Sequence, residues 1–236
     1  MKIAFLAFAG CFLSMAAVAQ QRTINVDKDD VNISNVFYSI SGEPFVNAKF
    51  VSLVAGTPYF KEEWIKGALL LENGKQYKGQ LKLDLYDNEV HYLDSKGNEF
   101  ITSIPIRQII FTDPAYSFIH RSFLPKTVVG VKMGWYQQLY IDSTSLYKYY
   151  HKQLSENKPY NSATYEQTIK TIEIYYVLYN GNFVTVKKIK DAPALFGDKQ
   201  GALEAFLKNE DNKNAPMDDR MIAFVQHLNT LIKPSK

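Results

Sequence analysis

The stretch Gly79-Gln80-Leu81-Lys82-Leu83-Asp84-Leu85-Tyr86 decides the fold. Leu81, Leu83 and Leu85 alternate with Gln80, Lys82 and Asp84, and a period of two puts the leucines on one face of a strand and the polar side chains on the other. Turn signals surround it. Asn73-Gly74 suits a hairpin turn that needs positive φ, Asp87-Asn88 marks a second reversal, and Asp94 to Asn98, with Gly97, marks a third. Further strand runs from Ile101 to Phe111 and is interrupted at Pro105, which donates no ladder bond and so places that stretch at an edge or a bulge. Residues 64–112 therefore read as a β-meander.

The same signals continue downstream. Val129, Val131, Met133 and Trp135 share one parity in a second β-prone stretch, 128–153, which Asp142-Ser143-Thr144-Ser145 divides. After a polar loop over 155–162, Thr168 to Tyr179 meets Phe183 to Ile189 across Asn180-Gly181-Asn182, the strongest hairpin signal in the chain. Beyond Asp191-Ala192-Pro193 the period changes. Ala202, Leu203, Phe206 and Leu207, and then Met221, Ile222, Phe224, Val225, Leu228, Leu231 and Ile232, recur at three- and four-residue steps. Asp218 and Asp219 at the head of that stripe read as helix caps. The expected fold is α+β and mainly antiparallel β, a meander, roll or open barrel-like sheet, with two C-terminal helices packed on it.

At the N-terminus, Lys2, the apolar run Ile3 to Val18 and the small residues Ala17-Val18-Ala19 have the three parts of an export signal cleaved after Ala19. The run is shorter than the roughly 20 residues a membrane span needs. Phe8-Ala9-Gly10-Cys11 is similar to the lipobox of bacterial lipoproteins, with Phe8 where a branched aliphatic residue is usual, and cleavage there would lipidate Cys11. The expected organisation is a signal peptide over 1–19, a flexible polar leader over 20–35, a β-rich domain over 36–190, and a helical segment over 191–236 packed on the same domain.

Composition removes several classes of function. With 46% hydrophobic and 22% charged residues the chain is neither disordered nor a multi-pass membrane protein. Lys and Arg number 27 against 24 acids, so no concentrated basic face is available for nucleic acid. Cys11 is the only cysteine, and a chain processed after Ala19 has no disulfide, thiolate nucleophile or cysteine zinc site. No two of His91, His120, His151 and His227 lie within five residues, so no paired-histidine motif seeds a metal site, and neither metal nor cofactor is expected. Asp27, Asp29 and Asp30 lack the spacing of an EF-hand, and no nucleophile elbow or phosphate-cradling glycine loop occurs. Carboxylates for glycoside cleavage pair in space rather than in sequence, so any acid remains a candidate.

The unusual component is aromatic: 16 Tyr, 15 Phe and 2 Trp. Trp135, Tyr136, Tyr140, Tyr147 and Tyr149 gather on one expected pair of strands and are the candidate binding residues, since aromatics on a sheet face stack on sugar rings or bury against a partner. The competing role is core, because tyrosine is a good strand former.

In Ser41-Gly42-Glu43-Pro44-Phe45, Gly56-Thr57-Pro58-Tyr59-Phe60, Trp64-Ile65-Lys66-Gly67 and Leu81 to Asp87, with the region of Phe196 and Leu203, the chain resembles uncharacterised exported proteins of Bacteroidota. That resemblance implies a Gram-negative envelope location and no particular catalysis. It also implies that Asp142-Ser143-Thr144 matches the short O-glycosylation signal of such bacteria, with Ser143 as acceptor. The expectation is an exported, non-enzymatic binding or scaffolding protein, periplasmic or associated with the outer membrane, whose partner is an envelope protein or a glycan, with no nucleic acid and no membrane span in the mature chain. The alternatives are an envelope hydrolase with spatially paired carboxylates and a lipid-anchored accessory protein.

Overall fold

Twelve strands make one sheet whose order follows from where consecutive hairpins form and from one return of the chain. The computed structural model describes residues 42–44, 52–112, 115–128, 130–160, 163–209 and 213–232. The expected signal segment, the leader, Cys11 and the Asp27 to Asp30 carboxylates lie outside these residues. The strands are β1 (Gly42–Pro44), β2 (Leu53–Ala55), β3 (Ile65–Leu71), β4 (Gln76–Asp84), β5 (Glu89–Leu93), β6 (Glu99–Thr102), β7 (Ile106–Thr112), β8 (Ala115–His120), β9 (Trp135–Tyr140), β10 (Ser145–Asn157), β11 (Glu166–Tyr179) and β12 (Asn182–Val186). Two helices follow, α1 (Gln200–Lys208) and α2 (Met217–Ile232). The sheet order is β1-β6-β5-β4-β3-β7-β8-β9-β10-β11-β12, and β2 pairs with β11.

The mainly antiparallel sheet and its two C-terminal helices are as the alternation and the change of period predict. Within residues 64–112 the meander holds for β3 to β6, but β7 returns to pair with β3 on its other edge. Pro105 precedes β7, and the β3–β7 register shifts nearby, between Leu70 and Leu71. At the strongest hairpin signal, Asn180 and Gly181 both have positive φ (49° and 76°) and join β11 to β12. Over 130–134 the expected strand does not form. Strand β9 begins only at Trp135, because Gly130 and Gly134 carry positive φ and turn the chain into a strap.

The sheet is curled but not closed into a barrel. Its inner face gathers Leu69, Leu81, Tyr92, Phe111, Phe118, Trp135 and Tyr150 into one core. The chain ahead of β3 ties two distant strands together. Residues Leu53–Ala55 pair in parallel with β11, while Phe60 N donates to Leu83 O, Leu85 N donates to Pro58 O, and Tyr59 bridges Asp84. Gly56 lies between these two anchors with φ +80°, and a Cβ there would sit 1.9 Å from Ile169 O, so only glycine fits.

Helices α1 and α2 cover the inner face at the β10–β12 end, where Leu203, Met221, Phe224, Val225 and Leu228 pack on Leu146, Val177 and Val186. No described helix is long and apolar enough to cross a membrane. Asn229, on the same helix, is buried and holds the β9–β10 turn: its Oδ1 accepts from Ser143 Oγ (2.8 Å) and Thr144 N (2.9 Å), and its Nδ2 donates to Thr144 O (3.0 Å). Replacing Asn229 by Ala is expected to cost about 2 kcal/mol in urea unfolding, because buried polar groups of that turn lose their partners.

Candidate functional site

Strand β10 builds the site because its first eight residues, 145–152, are enclosed on both faces, so their polar side chains have no solvent side to occupy. Every second residue, Leu146, Lys148, Tyr150 and Lys152, faces the inner side, opposite Val177, Tyr175, Glu173 and Thr171 of β11. The ladder is apolar where the helices cover it and polar beyond them. Lys148 and Lys152 are both more than nine-tenths buried.

Lys148 Nζ lies 2.9 Å from Asp218 Oδ1 and 3.0 Å from Glu173 Oε2, and the Tyr175 hydroxyl donates to Asp218 at 2.5 Å. Asp218 is the second residue of α2, inside the first turn rather than at the flanking cap position, and its bonds to Lys148 and Tyr175 are tertiary and fasten the helix to the sheet. Burial, with the nearby charge of Asp218 and Glu173, drives the Tyr150 and Tyr175 hydroxyls far above the usual tyrosine range. Tyr150 donates to Gln137 Oε1.

Lys152 differs from Lys148. Its Nζ donates to Tyr59 O at 2.9 Å and Thr171 Oγ1 at 3.0 Å, both neutral acceptors, and among the described residues no carboxylate lies within ion-pair distance. Burial pushes its ammonium below the usual lysine range, with Asp84 and Glu62 opposing that from farther away. An ammonium has three donors, so one remains after those two bonds. Lys152 lines a cleft of about 400 Å³ together with Thr57, Phe60, Tyr116, Gln137, Thr171 and the carboxylates Glu173 and Asp218, which Lys148 pairs. The cleft thus combines aromatic faces, hydroxyl and amide groups and a buried cation.

The five aromatics of the expected platform do not share a surface. Trp135 joins the inner core, donates from its indole to Asn88 O (3.2 Å) and lines a separate cleft of about 440 Å³ with His120 and Glu89. Tyr136, Tyr147 and Tyr149 lie on the opposite face beneath the strap, packed with Leu124, Tyr176 and Phe183. Tyr136 donates to Lys132 O (2.8 Å). Tyr140 is half-buried against the helical side and donates to Asp142 Oδ2 (3.0 Å). Trp135, Tyr136, Tyr147 and Tyr149 are at most 6% exposed and pack as core, with the strap accepting the Tyr136 hydroxyl at Lys132 O. Ser143 is exposed in its turn, with its hydroxyl bonded to Asn229.

A second constellation lies on the outer side of β4 and β5. One ligand atom each from Asp84, Glu89 and His91 falls within 4.8 Å of the others. Asp84 and Glu89 are cross-strand partners at the hairpin end, and His91 follows on the same face. His91 is fully buried, its Nδ1–H donating to Glu99 Oε1 at 2.7 Å. The search for paired histidines passes over this set because its ligands come from two strands and include one imidazole.

Compared with protein-family models, with curated proteins and with solved structures, the chain matches none.

Proposed function

We propose that this is an exported, non-enzymatic binding protein of a Gram-negative envelope whose ligand is an acidic glycan, with the carboxylate of a uronic acid or similar sugar received by Lys152. The observation that carries this reading is the buried Lys152 ammonium, held by two neutral acceptors with one donor remaining toward the cleft. An anion there would gain a charge-assisted bond in a desolvated setting. Phe60 and Tyr116, partly buried at the margin of the inner core, offer apolar contact for a sugar, and Thr57, Thr171 and Gln137 offer hydrogen bonds to its hydroxyls.

Calorimetric titration with an oligogalacturonate is expected to give binding that its neutral, reduced counterpart lacks. Lys152→Met is expected to abolish that binding without lowering the melting temperature, because it also removes a buried cation. No binding, or binding unchanged in Lys152→Met, would overturn the proposal. The hydrolase alternative draws on Asp218 and Glu173 at the same cleft. Against it, Lys148 Nζ contacts both carboxylates and occupies the space where a water or glycosidic oxygen would sit. Release of shortened sugars from the bound oligosaccharide would instate it.

A further inference from the structure

We infer that Asp84, Glu89 and His91 form a binding site for a divalent transition-metal ion, with Glu99 as the residue that orients the imidazole. The donor set is one imidazole nitrogen and two carboxylates, a mixture suited to Zn²⁺ or Mn²⁺ and poorly suited to Ca²⁺ or Mg²⁺, which favour all-oxygen shells. Spacing supports it. Two ligands of a tetrahedral ion at about 2.0 to 2.2 Å stand roughly 3.4 Å apart, and His91 Nε2 lies 3.6 Å from Glu89 Oε2. The third ligand atom falls within the same 4.8 Å envelope.

The surroundings have the form of a metal centre as well. A histidine that binds metal through one ring nitrogen characteristically donates from the other to a carboxylate, which fixes the ring and its tautomer. Here Nδ1–H is held by Glu99 at 2.7 Å, so in the neutral ring the lone pair is on Nε2, the nitrogen directed toward Glu89. Asp84 is held in a similar way: Oδ1 accepts from Tyr86 N (2.8 Å) and Asp87 N (2.9 Å), which fixes the carboxylate. The Tyr59 ring meets the His91 ring edge-on at 5.6 Å, and the Lys82 ammonium on the same face is drawn over the Tyr59 and Trp64 rings, 4.7 and 4.6 Å from their centres. Asp84, Glu89 and Glu99 thus bring three carboxylates to one imidazole. Glu89 is 32% exposed, so the site's partly exposed ligand is in reach of solvent.

The test uses the full processed chain without an affinity tag, dialysed against chelator and titrated with Zn²⁺ or Mn²⁺ alone. One equivalent is expected to bind and to raise the melting temperature, while Ca²⁺ and Mg²⁺ at the same concentration leave it unchanged. Glu89→Gln, a partly exposed position whose substitution leaves the core intact, is expected to remove this site. Glu99→Gln is expected to weaken it about 10- to 100-fold as a positioning residue, with restoration by Glu99→Asp. Absence of any Zn²⁺ or Mn²⁺ binding, or binding whose affinity and stoichiometry survive Glu89→Gln in a protein with unchanged circular dichroism, would overturn the site. The two readings fail separately, since the Lys152 cleft is titrated with oligosaccharide in the chelator-treated, metal-free protein.

Discussion

Replacing Asp218 by Ala is expected to destabilise the protein by about 3 kcal/mol, read as a lower midpoint in urea unfolding. The reason is what the substitution leaves behind. Lys148 is 6% exposed at its side chain, and two of its three close oxygens belong to Asp218. Glu173 alone remains, on a side chain 46% exposed and therefore well solvated. Tyr175 loses the acceptor of its 2.5 Å bond, and α2 loses the contact that fastens its first turn to β10 and β11. Removing one partner from a buried ion pair costs about 3 to 5 kcal/mol, and the partial exposure of Asp218 with the survival of Glu173 puts this case at the lower end. The double substitution Lys148→Met with Asp218→Asn is expected to be markedly milder than Asp218→Ala, since both charges leave together and no ammonium stays buried without its carboxylate. A double variant as unstable as Asp218→Ala would show that the helix contact, and not the stranded charge, dominates.

Unfolding by alkali should be abrupt and should coincide with tyrosine ionisation. Burial raises the hydroxyls of Tyr136, Tyr147, Tyr149, Tyr150, Tyr175 and Tyr176 above their ordinary value. A group whose folded pKa is raised contributes stability that is complete below its unfolded value, about 10, and is lost as pH rises from there toward the folded value. Each such tyrosine then costs up to about 1.4 kcal/mol per pH unit, and several acting together exhaust a typical stability of about 5 to 15 kcal/mol within one to two units above pH 10. Tyrosinate absorbance and far-ultraviolet circular dichroism are expected to change in one shared transition. Gradual ionisation of these tyrosines with the native dichroism retained would contradict it. Tyr136 and Tyr149 make the case most directly, because their rings lie 5.0 Å apart under the strap, where two phenolates would face each other with little water.

How much of this was legible in the sequence depends on whether one face of an element or both are buried. For β4, the inward Leu81 and Leu83 and the more exposed Gln80 and Lys82 match their alternation, because one face meets the core and the other is less enclosed. For α2, the stripe of Met221, Phe224, Val225 and Leu228 marked the helix and its buried side directly. Strand β10 defeats the same rule. Tyr147 and Tyr149 pack under the strap on one side while Lys148, Tyr150 and Lys152 pack on the inner side against α2 and the 52–60 segment, so neither parity identifies a solvent face. The strap itself was misread as strand, since Val131, Met133 and Trp135 keep their parity through a segment whose glycines turn it.

By itself, then, the sequence determined the elements: strands where apolar residues recur every second position, hairpins at Asn-Gly, and helices where the period lengthens, all of them consequences of local backbone geometry. Only the tertiary structure decided that β7 returns to β3, that residues 52–60 tie β11 to β4, and that Lys148, Asp218 and Glu173, or Asp84, Glu89 and His91, converge. These are contacts between strands, or between a helix and the sheet, and what makes a buried lysine or a cross-strand carboxylate meaningful is the burial that surrounds it. That burial is set by the summed packing of distant segments, which no local period encodes.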